Sequence, residues 1–122
     1  MMIYLASAHS HFDRKVMHER FERICYVTAK LLNEGKMVYS PIIHCYPLAQ
    51  AFNLRHDFEF WSEYNKWMIA RADEFWIYND PQGAWVNSVG VSAEIDFAKA
   101  KGLIPMVVHF DFLSSTYTVV PL

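Results

Sequence analysis

The stretch Trp85-Val-Asn-Ser-Val-Gly-Val-Ser-Ala-Glu-Ile-Asp-Phe-Ala98 reads as a loop that runs into a helix. Asn87 or Ser88 supplies the cap, because a short side-chain oxygen there accepts from a free N–H of the first turn. Val91, Ile95 and Ala98 recur at i, i+4 and i+7, so one face packs on a core. Glu94 borders that face, with Val91 and Phe97 three residues to either side and Gly90 one turn before it. A glycine at that place leaves the space above the carboxylate open. A carboxylate with apolar neighbours and an open approach suits a nucleophile or a base. The competing reading is a helix-dipole Glu on a solvated face. Upstream lies Glu74–Asn79, a predicted strand, and a loop with Pro81 and Gly83. Downstream, Gly102 ends the helix near Lys101 and Leu103–Phe110 is a second predicted strand. Strand, helix and strand of this spacing form the unit of a parallel sheet.

The alternation continues towards both ends of the chain. Met2–Ala6 is a short apolar run and a predicted buried strand. Ser7–Phe12 is a polar loop, and Asp13 caps a helix predicted over Arg14–Glu34. Met17, Phe21, Ile24, Thr28 and Leu31 form its inward stripe, with Arg20, Arg23, Lys30 and Glu34 on the other face. Gly35 stops it. Met37–Ser40 is a predicted strand closed by Pro41, and Ile42–Asn53 is expected to be irregular. Asp57 caps a helix predicted over Phe58–Ala72, whose inward stripe is Phe58, Trp61, Asn65, Met68 and Ala72. Asn65 is the polar member of that stripe. Thr116–Val120 is a predicted fifth strand. The expectation is one α/β domain over residues 1–122: a flavodoxin-like, Rossmann-like three-layer sandwich with right-handed crossovers. Its five-stranded, mostly parallel sheet would have the order 2-1-3-4-5.

Composition narrows the function classes. A chain of 122 residues holds one core. Eleven basic and 13 acidic residues give a net charge of −2, mixed along the chain, which excludes a basic nucleic-acid-binding stripe. No apolar run approaches a membrane span. The N-terminus lacks the basic region of a signal peptide. Two cysteines, Cys25 and Cys45, stand outside any CxxC pair, and Cys25 falls on an apolar helix face. The expected compartment is the cytoplasm, with both thiols reduced.

In such sheets ligands bind beyond the carboxyl ends of the strands. The segments leaving those ends carry Ser7, His9, Ser10, His11, His44, Asn79, Asp80, Trp85, Asn87 and Ser88. Glu94 starts the helix after the third strand. Residues far apart in sequence thus gather on one edge. The loop Ser7–Phe12 precedes a helix N-terminus, where free N–H groups and Arg14 suit an anion. No Gly-rich phosphate loop is present. His9, His11, His44 and Cys45 admit a metal reading, a weak one, because i and i+2 histidines in a loop are common. Tyr4 points either into the core or towards the cleft, and a strand covered on both faces does not decide which.

Ile3-Tyr4-Leu5-Ala6-Ser7, Ser40-Pro41-Ile42-x-His44, Trp61 with Ala72-Asp73, and Trp85-x-x-Ser88-x-Gly90-Val91-x-x-Glu94 resemble a family of short, uncharacterised bacterial and phage proteins. That family resembles the superfamily of nucleoside 2-deoxyribosyltransferases and deoxynucleoside 5′-monophosphate N-glycosidases. The resemblance covers almost the whole chain, and Ser88-x-Gly90-Val91-x-x-Glu94 is its most specific part. It implies that Glu94 attacks the anomeric carbon of a nucleoside or nucleotide, that Tyr4 orients it, and that no cofactor takes part. The expected substrate contacts are Ser7, His9, Ser10, Arg14, His44, Trp85, Ser88 and Gly90, and the resemblance implies a homo-oligomer, dimer or tetramer. Ser88 stands where the transferases carry Asp and the monophosphate hydrolases Ser; a neutral Ser tolerates a 5′-phosphate that Asp repels. Asn65 stands where the superfamily has an Asp that helps the base depart. Asn hydrogen-bonds but supplies no proton, so the alternatives are a chain restricted to good leaving groups, one that uses another acid, with His9 and His44 as candidates, or one that has lost catalysis. Two rivals remain: a non-catalytic nucleotide-binding module using the same cleft, and a metal-dependent hydrolase built on the histidines.

Overall fold

A computed structural model describes all of residues 1–122. Strand β1 (Met2–Ala6) leads into α1 (Arg14–Asn33), β2 (Met37–Tyr39), α2 (Pro41–Phe52) and α3 (Phe58–Arg71). Strand β3 (Glu74–Tyr78), α4 (Val89–Ala100), β4 (Met106–Asp111) and β5 (Thr116–Pro121) complete the chain. The five strands form one sheet in the order β2-β1-β3-β4-β5. β1 pairs in parallel with β2 and β3, and β3 with β4; β5 returns antiparallel along β4. The α/β class, the mostly parallel sheet and its strand order are those expected from the alternation of elements. No helix is long and apolar enough to cross a membrane.

Alternation along the strands divides the core into two layers. Ile3 and Leu5 of β1, with Trp76 and Tyr78 of β3, pack under Ile24, Val27 and Leu31 of α1. Tyr4 and Ala6, with Phe75 and Ile77, face the other way, onto Ile69 of α3 and Val91 and Ala98 of α4. The pleat therefore settles the direction of Tyr4: it points to the layer that carries α4. In register, Tyr4 lies beside Phe75, and their rings stack with centroids 5.5 Å apart.

The helix ends follow capping chemistry. Asp13 accepts from the Lys15 amide at 2.9 Å, Asp57 from the Phe60 amide at 3.3 Å and Ser88 from the Val91 amide at 3.2 Å. Gly35, at φ +88°, and Gly102, at φ +85°, close α1 and α4 in the left-handed region that favours glycine.

Three local expectations are corrected. Ile42–Asn53 is not irregular: Pro41–Phe52 is helix α2. Ser40 caps it through the Ile43 amide, Pro41 occupies its first turn, and left-handed Asn53 ends it. Pro47 lies inside this helix, where its missing N–H masked the helical pattern. Arg20 is not on the solvated face of α1 but half-buried, its guanidinium curled back on the loop before the helix. On α3 the buried positions are Asn65 and Ile69, not the whole stripe from Phe58 to Ala72. The first turns of α3 reach beyond the sheet edge, so Phe58 and Trp61 line a cleft instead of the core.

Candidate active site

A cleft of about 400 Å³ opens at the carboxyl edge of the sheet, within the size range of small-molecule sites. Its walls come from the loop after β1, the start of α2, the first turns of α3 and the start of α4. These are the segments that the strand alternation brings to one edge.

Glu94 forms part of this wall and is only 8% exposed. Ser88 starts α4, and the carboxylate sits two turns in, on the face that Val91 and Ala98 turn towards the sheet. The hydroxyl of Tyr4, itself fully buried, donates to Glu94 Oε2. Burial pushes the Glu94 carboxyl up to about 7, against the Tyr4 hydrogen bond, which favours the ionised form. Burial, together with the neighbouring carboxylate, holds the Tyr4 phenol well above its usual range, so Tyr4 is a donor throughout the physiological range. The result is a carboxyl group poised near neutrality, oriented by a phenol and open to a ligand on its cleft side. Such a group serves as a nucleophile or a general base.

Gly90 and Ser88 line the same wall. A Cβ on Gly90 would lie 3.5 Å from Phe58 Cδ2, an ordinary contact. Packing therefore tolerates a methyl group there. Asn65, on α3, lines the same cleft as Glu94; it is 8% exposed and its Oδ1 has no partner. Ser7, His9 and Ser10 come from the loop after β1. Burial lowers His9 to about 4, so its imidazole is neutral at pH 7.

Four residues expected at the site lie outside the cleft lining: Tyr4, which reaches it only through Glu94, and Arg14, His44 and Trp85. Arg14 is exposed on the first turn of α1. His44 stacks on Tyr64, centroids 4.9 Å apart, beside Trp61. Trp85 donates its indole N–H to Asn79 Oδ1 at 2.8 Å and packs against the α3–α4 layer. Asp80, buried, accepts from the Ala84 and Trp85 amides and so shapes the loop that delivers Ser88. Trp85, Asn79 and Asp80 are a framework behind the cleft wall. His9, His11 and Cys45 line the cleft and His44 lies outside it, and no group of three or more His, Cys, Asp or Glu side chains is arranged to hold a metal ion.

Cys45, read from sequence only as a weak metal ligand, and Arg20, read as solvated, both line the cleft. Cys45 reaches the wall because α2 is a helix, and burial pushes its thiol up to about 12, so it is neutral. The signal for Arg20 was present in the spacing: it follows Met17 by three residues and precedes Ile24 by four, both buried. A charge at an inward position of an amphipathic helix has a reason to be there.

Fold and cleft together define a parallel α/β protein with a ligand site at the carboxyl edge of its sheet and a buried carboxyl–phenol pair in the site wall. The chain belongs to the family described as a domain of unknown function, DUF1937, which matches residues 1–110. No curated protein matches it.

Proposed function

We propose that the protein is an N-glycosidase or base-exchange enzyme acting on nucleosides or nucleoside 5′-monophosphates through a covalent glycosyl-Glu94 intermediate. The observation that carries this reading is the buried Tyr4–Glu94 pair opening on a ligand-sized cleft. In the first step a Glu94 carboxylate oxygen bonds to C1′ as the C1′–N bond breaks. The bonding pair leaves with the base, which takes up a proton from water. In the second step water, or a second base, bonds to C1′ and gives up a proton to solvent as the ester oxygen departs with its electrons. Glu94 returns as a carboxylate and the sugar retains its anomeric configuration. Tyr4 holds the carboxylate in line, and Asn65 hydrogen-bonds the base without supplying a proton. No cofactor enters either step. The setting proposed is the cytoplasm, and the assembly a homo-oligomer, read directly by light scattering.

Asn65 also favours a second reading, in which the same cleft binds a nucleotide without turning it over, because a carboxamide is no acid. Incubation with a panel of nucleosides and 5′-monophosphates, with free base measured by chromatography, separates the two. The enzyme reading expects base release that Glu94→Gln abolishes. Nucleotide binding with no release from any substrate would establish the module instead.

A further inference from the structure

The cleft holds an unpaired cation. Nη1 of Arg20 donates to the carbonyl oxygens of Ser10 at 3.0 Å and His9 at 3.4 Å, which fixes the guanidinium beneath the loop after β1. Its Nε is buried and has no acceptor. The ion pairs of the molecule engage His18, Lys30, Lys36 and Arg55, and Arg20 is in none of them. The two acidic residues of the cleft are Asp57 and Glu94. Asp57 is held by Arg55 at 2.7 Å and caps α3, and Glu94 is held by Tyr4. Two further polar atoms of the same loop are buried and unpartnered: Ser7 Oγ, in a side chain 7% exposed, and His9 Nε2. Buried polar groups are almost always hydrogen-bonded, so the unpartnered Ser7 Oγ and His9 Nε2 of this loop, lining one cleft with the unpaired Arg20, mark the place of a ligand group; the fourth orphan of the cleft, Asn65 Oδ1, is an acceptor.

The donors identify that group. A guanidinium, a hydroxyl and a neutral imidazole line one cleft from three separate residues. A planar carboxylate offers two oxygens to such a set, and a phosphate monoester offers three in a tetrahedron. We infer that the cleft takes a phosphorylated nucleoside in preference to a free one, its phosphate held by Arg20, Ser7 and His9 and its sugar turned towards Glu94. This deepens the proposed function and rests on it for the sugar and the base; the phosphate site stands on the cleft alone.

Calorimetric titration of the Glu94→Gln protein, in which turnover is blocked, tests the inference. The probes are the four common 2′-deoxynucleosides, their 5′-monophosphates and inorganic phosphate. At least one monophosphate should bind about tenfold or more tighter than its nucleoside. Adding Arg20→Gln should bring the two to the same affinity while leaving the nucleoside within about twofold. Ser7→Ala, which spares the Arg20 anchor on the loop, should reduce the preference by about threefold or more. The preference should also shrink as NaCl rises from about 50 to 500 mM, which decides the matter if Arg20→Gln fails to fold. Equal affinity for both forms, a preference indifferent to Arg20 and Ser7, or inorganic phosphate binding as tightly as every monophosphate would overturn it. Base release from free nucleosides as fast as from monophosphates would overturn it while leaving the proposed function intact. Arg20-dependent monophosphate binding with no base release by the wild-type protein would do the reverse.

Discussion

At the scale of single residues, Glu94 and its neighbours make separable predictions. Glu94→Gln keeps the shape and a hydrogen-bond acceptor but forms no glycosyl ester. Turnover should fall by at least about a thousandfold, on the order of 4 kcal/mol of barrier, while ligand affinity changes by less than about tenfold. Near wild-type turnover would remove Glu94 from the chemistry. In the wild type only the ionised carboxyl attacks, and burial sets that ionisation at about 7. The kcat/KM profile should therefore rise about tenfold per pH unit below neutrality and level off above it. Tyr4→Phe preserves the stack on Phe75 and removes the hydroxyl that favours the carboxylate. A hydrogen bond to a charged group contributes about 1.5–3 kcal/mol, so the rate at pH 7 should drop roughly 10- to 100-fold and the rising limb should move to higher pH. An unmoved limb would show that Tyr4 only fills space. Asn65→Asp places a second carboxyl beside Glu94 in a buried setting, where one of the two holds its proton. That proton is the acid the wild-type cleft lacks at this position, so turnover of poorly activated substrates should increase. Unchanged or lower turnover by a folded variant would mean that Asn65 has no part in base departure.

At the scale of elements, what could be read from the sequence followed from periodicity. Long repeats announced α1 and α3, and short apolar runs between turn residues announced the strands. The α4 cap was narrowed to Asn87 or Ser88, and the structure selects Ser88. Ser88→Ala should cost about 1 kcal/mol and lower the melting temperature by several degrees, because an N–H at the start of α4 loses its acceptor. An unchanged melting temperature would show that the cap contributes nothing here. Helix α2 escaped because its two signals compete. Ser40 and Pro41 form a helix start, but Pro47 in the interior reads as a stop, and His44-Cys45-Tyr46 between them has no amphipathic pattern. With α2 went the cleft position of Cys45. The site itself was legible where topology alone places residues: the loop after β1, Ser88, Gly90 and Glu94 all reach the cleft. It was not legible where side-chain reach decides. Spacing from Met17 and Ile24 sets Arg20 on the inward side of α1, but its reach back onto two loop carbonyls, with Arg14 left in water, is seen only in the structure. Trp85 likewise turns behind the wall to meet Asn79, a contact that spacing does not show.

At the scale of the whole molecule, the carboxyl at the centre of the site works against the stability of the fold. Glu94 titrates near the ordinary 4.5 when unfolded and at about 7 when folded. The stabilisation from burying it as a neutral acid is complete below about pH 4.5 and is lost as the pH rises towards 7. The difference is on the order of 3 kcal/mol. Glu94→Gln, uncharged at every pH, should melt several degrees above the wild type at pH 8 and close to it at pH 4. Equal melting temperatures at pH 8 would show that the carboxylate is well solvated in the folded protein. Such a cost, retained in a chain whose sheet, loops and helix starts converge on one edge, accords with a group kept for its chemistry. The most direct test of that chemistry is intact-protein and peptide mass spectrometry after incubation with 2-fluoro-arabinosyl nucleosides and their 5′-monophosphates, in which fluorine slows release of the sugar from the enzyme. A nucleophilic Glu94 predicts one sugar added per chain, carried on the peptide containing Glu94 and absent from the Glu94→Gln protein; an adduct on another residue, or free base released from these substrates by the wild type with no adduct at any time point, would contradict it.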